Sequence, residues 1–132
     1  MSSALEKGLY SLIAGKSPQT AAQTRVYPRV PQEPIYPLCR YQRVSVTRQQ
    51  SLDSNVGVAQ AVLQVDCMAT SYSDAKALAD EIRSTLHGYS GAWGTLTAHN
   101  TVLEMEIDTD EQEGDRVTHW VTQRYRVYTN MD

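Results

Sequence analysis

The chain has 132 residues, a formal net charge of -3 and a sequence pI near 5.6. That length fits one domain, and the acidic balance excludes a domain that grips nucleic acid by its phosphates, which needs a clustered excess of Lys and Arg. A hydrophobic fraction of 41% supplies an ordinary core, but Phe is absent and eight Tyr carry most of the aromatic bulk; their hydroxyls need partners, which places many of these rings at the core edge or in an interface.

No apolar run approaches the roughly 20 residues that span a bilayer. The start "MSSALEKGLYSLIAG" has neither a basic n-region nor a continuous h-region, so the expectation is a protein made and kept in a cytoplasm.

The first element reads as a helix. Ser3 and Glu6 make a capping box, Leu5, Leu9, Leu12 and Ile13 share one face, and Gly15 suits the left-handed C-terminal turn. Residues 16–37 then hold all five prolines, which fix the backbone and remove ladder donors; they predict an extended surface connection with a short edge strand near 25–27.

Two strands follow, over 38–46 and 58–69, joined by the polar stretch "TRQQSLDSNVG". In the second, Ala61, Leu63, Val65 and Cys67 share one face while Gln60, Gln64 and Asp66 share the other, the alternation of an antiparallel sheet with one covered face. A hairpin centred on Asp53 pairs Cys39 with Cys67, Arg40 with Asp66, Tyr41 with Val65 and Val44 with Val62; opposite charges face each other and two small thiols meet on the core side. Arg43 opposite Leu63 fits poorly, which leaves a bulge or a buried interface arginine.

The stretch "QVDCMATSYSDAKALADEIRSTLHGYSG" runs strand directly into helix. Ser71 with Asp74 three residues on resembles a capping box, Gly88 is placed to end the helix, and Ala75, Leu78, Ala79, Ile82 and Leu86 form its apolar stripe. Beyond the glycine loop "GYSGAWG", Leu103, Met105 and Ile107 alternate with Glu104, Glu106 and Asp108 in a third strand, and 117–129 make a fourth, with "TDEQEGD" as an acidic turn between them. The register of this hairpin is not readable, because Trp120 and Tyr128 lie on the face opposite Val121, Tyr125 and Val127. Apolar groups on both faces of the last strand imply a covered outer face.

The expected fold is α+β: one domain over 1–132, a four-stranded antiparallel sheet with two helices packed on one face, in the order α-β-β-α-β-β.

Chemistry is sparse. His87, His99 and His119 have no metal-ligand spacing with each other or with the cysteines, so no metal and no cofactor is expected. Cys67 lies on an apolar strand face, where a thiol is inert packing. The carboxylates Asp108, Asp110, Glu111, Glu113 and Asp115 lack the calcium-loop pattern and read as a solvated hairpin tip, or as a charged rim that repels DNA or meets a basic partner. The glycines of "HGYSGAWG" follow a helix, so they match no phosphate-binding fingerprint. Arg48, Gln49, Gln50 and Ser51 lie in an eleven-residue connection, longer than a tight hairpin needs, and serve equally well as a contact arm or as a mobile tip.

The succession "RVYPRVPQEPIYPLCRYQRVS", then "QVDCMATSYSDAKALADEIRSTLHGYSG", then "TQRYRVYT" resembles the tail-completion, or tail-terminator, family of long-tailed bacteriophages and related prophages, and the likeness covers nearly the whole chain. The resemblance implies a structural virion protein, assembled in the host cytoplasm and placed in the tail. It would form a ring, commonly a hexamer, that caps the tail tube and meets the head connector proteins, with DNA passing through the lumen without specific binding. Neither a reaction nor a membrane is implied.

Under that reading Trp120, Tyr128 and Arg43 are candidates for the subunit interface. Arg48, Gln49, Gln50 and Asp53 in one loop, and Asp110, Glu111, Glu113 and Asp115 in the other, are candidates for the lumen or a partner contact. Two other classes compete: another head-tail connector or minor tail protein, and a small-ligand-binding or enzymatic α+β module, since fold alone excludes neither.

Overall fold

A computed structural model describes residues 4–13, 26–27, 29, 32, 36–50, 55–94 and 96–130. In chain order they form α1 (Ala4–Ile13), β1 (Val26–Tyr27), β2 (Leu38–Gln50), β3 (Asn55–Ala69), α2 (Tyr72–Leu86), β4 (Gly91–Trp93), β5 (Leu96–Glu113) and β6 (Arg116–Asn130). One sheet contains every strand, in the order β1-β2-β3-β6-β5-β4.

The sheet is therefore six-stranded rather than four-stranded, and the order gains a strand before each hairpin. The four long strands pair antiparallel throughout. The short edge strand expected in the proline-rich region exists as β1 and runs parallel to β2, with Val26 opposite Cys39 and Tyr27 opposite Arg40. The other added strand, β4, lies inside the glycine loop that reads as mere punctuation; it buries Trp93 and pairs Gly91 with Ala98 and Trp93 with Leu96.

Odd-numbered residues of β3 and β6 face the helices. Ala61, Leu63, Val65, Cys67, Val121, Tyr125 and Val127 are fully buried there, in one cluster with Leu9 of α1 and Leu78, Ile82 and Leu86 of α2. The stripe read for α2 is its buried stripe. Ser71 caps that helix as its spacing predicts: its backbone is extended and its Oγ accepts from Asp74 N at 3.2 Å. Gly88 takes φ +80° just past the helix end and donates its N–H to Thr101 O at 2.7 Å, so the left-handed turn also ties α2 to β5.

Helix α1 lies close over β4. A Cβ added at Gly8 would stand 2.7 Å from the Trp93 carbonyl carbon and 2.8 Å from its oxygen, so only glycine allows this approach. Leu9 and Leu12 bury as read, while Ser3 and Gly15 lie outside the described residues. Glu6 uses its carboxylate to accept from Arg43 Nη2 at 2.9 Å.

The β2–β3 register holds for Cys39–Cys67, Arg40–Asp66, Tyr41–Val65 and also Arg43–Leu63. It then slips by one, because Ser45 rather than Val44 sits opposite Val62. Of the two explanations open for Arg43, the bulge is present, at Val44, which is 41% exposed. Arg43 itself tolerates the helix-facing side by reaching Glu6.

A second bulge corrects the alternation read for β5. Leu103 pairs with Tyr125 but Met105 with Arg124, leaving Glu104 as the extra residue. Leu103 therefore faces the helices while Met105 and Ile107 turn outward, and Glu106 and Asp108 turn inward towards α2. There Gln123 Nε2 donates to Glu106 at 2.8 Å and Tyr72 Oη to Asp108 at 2.7 Å.

Both long connections shrink. Strand β2 runs to Gln50 and β3 starts at Asn55, so most of the eleven-residue loop is ladder. Between β5 and β6 only Gly114 and Asp115 remain, with Glu113 opposite Arg116. Gly114 at φ +61° occupies the first central position of the tight turn.

Candidate interaction surfaces

The even-numbered residues of β3 and β6 form the face turned away from the helices, and a polar row crosses it. Asp66, only 1% exposed, is its centre. Arg40 Nε on β2 donates to Asp66 Oδ2 at 2.9 Å, while Thr122 Oγ1 on β6 and Gln64 Nε2 donate to Oδ1 at 2.8 and 3.2 Å. The row continues along the strands: Arg124 Nε donates to Gln64 Oε1 at 3.1 Å, and Arg126 reaches Gln60 Oε1 at 2.9 Å and Glu104 Oε2 at 2.6 Å.

Trp120 stands at one end of this row. It is half-buried, lies opposite Met68 and Thr109, and carries the Arg40 guanidinium 5.7 Å above its ring, within cation–π range. Leu38 and Met68 are buried beside it in register. Tyr128, also half-buried on this face, lies eight residues along β6, roughly 26 Å away at strand rise. Arg43 projects from the other face, so the structure does not bring these three candidate interface residues together.

The other candidates lie on opposite edges of the sheet. Arg48, Gln49 and Gln50 belong to strand β2, while Asp110, Glu111 and Glu113 belong to strand β5; only Asp115 is in a turn. Asp53 lies outside the described residues. Asp110, Glu111 and Asp115 are exposed.

Two polar groupings escape a reading of the sequence. Gln123 is wholly buried beneath α2, donating to Ala79 O at 3.0 Å and to Glu106, and accepting from Tyr125 Oη at 2.7 Å. Its signal is present, since a glutamine shares the odd-numbered face of β6 with Val121, Tyr125 and Val127. Nearer solvent, Lys76 stands 3.5 Å from both Glu106 and Asp108. Burial alone would push its ammonium pKa down, but the two carboxylates outweigh it and hold the group charged. The phenol of Tyr72 is pushed up by the hydrogen bond it donates to Asp108.

Cys39 and Cys67 are free, buried and directly opposite each other. The hydrogen bond with Cys39, and then burial, push the Cys67 thiol well above its usual range, the reverse of what a nucleophile needs. Among the described residues no group of three His, Cys, Asp or Glu side chains converges on a metal position. His87 is held by the Leu103 N–H at its Nδ1 (3.0 Å), and His119 meets the Tyr72 ring edge-on at 6.1 Å.

The described charges are thus spent largely on ties between the chain's own strands and helices; on the outer sheet face Leu38, Val62, Gln64, Asp66 and Met68 are already buried, so the surfaces left over are the half-buried Trp120 and Tyr128 towards its two ends and the two sheet edges. This makes the domain a sheet-and-helix building block. The same fold occurs in a chain of the virion of a native gene transfer agent particle, with a TM-score of 0.66 over 96% of this chain and 99% of that one at 16% identity. None of the curated proteins is similar to the chain in sequence. Residues 8–130 match the family described as "Tail completion protein gp17", and the chain belongs to that family. It is a structural protein of phage tails.

Proposed function

We propose that the protein closes the finished tail tube as a homo-oligomeric ring, six copies in the form the family resemblance implies, and forms the joint to the head connector proteins. Family membership over residues 8–130 carries this reading. The fold supports it, because a heterologous contact closes into a ring only when the rotation between copies is fixed, and a sheet tied to α2 through Gln123 and to α1 through Arg43–Glu6 is a stiff body.

In this reading the half-apolar face with Trp120 and Tyr128 meets a neighbouring protein, since aromatic residues are enriched at interface cores, while Arg43 braces α1 on the opposite face. Asp110, Glu111, Glu113 and Asp115 line the lumen or a rim, where like charge lets DNA slide past unbound. Arg48, Gln49 and Gln50 at the end of β2, together with Asp53, meet the tube or the connector. The protein works by fit, without catalysis or a cofactor, after assembly in the host cytoplasm.

The test combines light scattering across a concentration series with labelled protein added to isolated tails. A closed ring of about six copies, or label confined to the head-proximal tail end, is the expected result. Label at the distal tip or along the tube would assign the chain to a minor tail role instead. A strict monomer that binds no tail would overturn the reading.

A further inference from the structure

The two ends of the sheet are unlike. On one side β1 covers β2 only at Cys39 and Arg40, so the outward backbone groups of 41–50 have no strand partner among the described residues. On the other, β4 covers β5 at Leu96, Thr97 and Ala98, and the end of α2 occupies Thr101 O and Leu103 N; 104–113 then run without a strand partner among the described residues. Each open stretch spans roughly 33 Å of extended chain. Open edges of this length pair with other strands unless they are blocked.

Their charges are opposite. Strand β5 carries no Lys or Arg; Glu104 is tied to Arg126, and Glu106 and Asp108 to Lys76, which leaves Asp110, Glu111 and Glu113 as the acidic run of its open stretch. Strand β2 carries no Asp or Glu; Arg40 is covered by β1 and tied to Asp66, Arg43 is tied to Glu6, and Arg48 is the remaining arginine of its open stretch. A guard against aggregation would work with one sign on both edges. Unlike signs repel β5 from β5 and β2 from β2 but leave β5 free to meet β2, which selects head-to-tail over two-fold contact.

Strand direction agrees. The pairings β2–β3, β3–β6 and β6–β5 are all antiparallel, so β5 runs opposite to β2. A second copy generated by rotation brings its β2 antiparallel beside β5, and the alternation of the long strands continues. The short strands β1 and β4 sit at opposite ends of the sheet, since Cys39, Cys67, Val121 and Asp108 share one level while Ala98 and Thr129 mark the other. They force a stagger between copies, which tilted strands accommodate in a closed ring.

We propose that the partner of the acidic β5 edge is the basic β2 edge of a second copy of this chain, so that the subunit joint is a strand-to-strand seam. This rests on the ring reading above and specifies its contact; the outer-face row around Trp120 then lies beside the seam.

Hydrogen exchange comparing the free chain with the ring, formed at high concentration or on isolated tails, tests it. Outward amides of 41–50 and 104–113 should slow by at least about tenfold on assembly, whatever the exact register. Alongside this, an Arg48→Glu variant and an Asp110→Lys/Glu111→Lys variant should each fail to assemble alone, and should assemble together when mixed, in alternating order. A ring that forms with both stretches exchanging as in the free chain, or variants that no mixture rescues, would overturn the seam and leave the ring standing. No ring in solution or on tails would remove the ring reading and the seam with it.

Discussion

Asp66 shows how one buried charge can organise a sheet face. Its carboxylate accepts from Arg40, Thr122 and Gln64, side chains that belong to three adjacent strands. Replacing it with Ala strands these donors together, and because the Arg40 side chain keeps 28% exposure the cost falls at the low end of that for breaking a buried pair, about 3 kcal/mol. Asp66→Asn keeps one acceptor and should cost roughly half as much; urea unfolding of both variants checks the order. The buried thiol and phenol make a second prediction. The folded-state pKa values of Cys67 and Tyr125 are raised above the ordinary 9.0 and 10.0, for Tyr125 chiefly by burial. Both groups stay neutral in the fold but ionise in the unfolded chain. Their contribution is therefore complete below pH 9 and is lost as pH climbs, by up to about 1.4 kcal/mol per pH unit for each. Cys67→Ala should move the onset of alkaline destabilisation from about pH 9 to about pH 10, read from urea midpoints across pH.

At the scale of elements, helix α2 was readable because all its signals are local: cap, stripe and terminating glycine lie within one stretch. The hairpin β2–β3 was half readable. Charge and thiol pairing set its register from Cys39 to Arg43, but no residue announces the extra Val44, since a bulge is chosen by the curvature of the sheet. The same holds for Glu104, whose insertion turns Glu106 and Asp108 inward against a clean sequence alternation. The strands run longer than their apolar pattern because Thr47 to Gln50 and Thr109 to Glu113 are polar; turn chemistry and exposed edge strand share that composition. Parity along the strands places Trp120 and Tyr128 on the outer face and Arg43 opposite Leu63 on the helix-facing one, and the structure agrees; what parity does not show is the partner that lets Arg43 sit there, because Glu6 lies 37 residues away. A deletion tests the bulge. Removing Val44 leaves Arg43 opposite Leu63 and Ser45 opposite Val62, so the chain should fold with a loss of about 1 kcal/mol. Removing Gln42 also takes out the extra residue: Tyr41 stays opposite Val65 while Arg43 moves to the outer face and Val44 to the helix-facing one, so this chain should also fold at a cost of about 1 kcal/mol, having lost the Arg43–Glu6 pair. Circular dichroism and urea unfolding of the two deletions decide this.

At the scale of the molecule, two different surfaces compete to hold a ring together, and ionic strength separates them. The outer face around Trp120 offers apolar contact, which added salt leaves unchanged or strengthens. The seam between β5 and β2 sets an acidic edge against a basic one at the surface, where charges are screened beyond about 10 Å at 0.1 M salt and about 3 Å at 1 M. If the seam carries the assembly, raising salt from about 50 mM to 500 mM should weaken association on the order of tenfold, chiefly by slowing encounter. The chain's net charge of -3 acts in the same experiment with the opposite sign: copies that repel overall approach more easily as salt rises. A net weakening therefore requires that the local attraction between the two edges exceed the general repulsion between subunits. Light scattering at a fixed protein concentration along a salt series measures this balance. Assembly that grows with salt would assign the joint to the outer face around Trp120, while assembly that falls with salt and is restored by dilution of the salt would assign it to the edges.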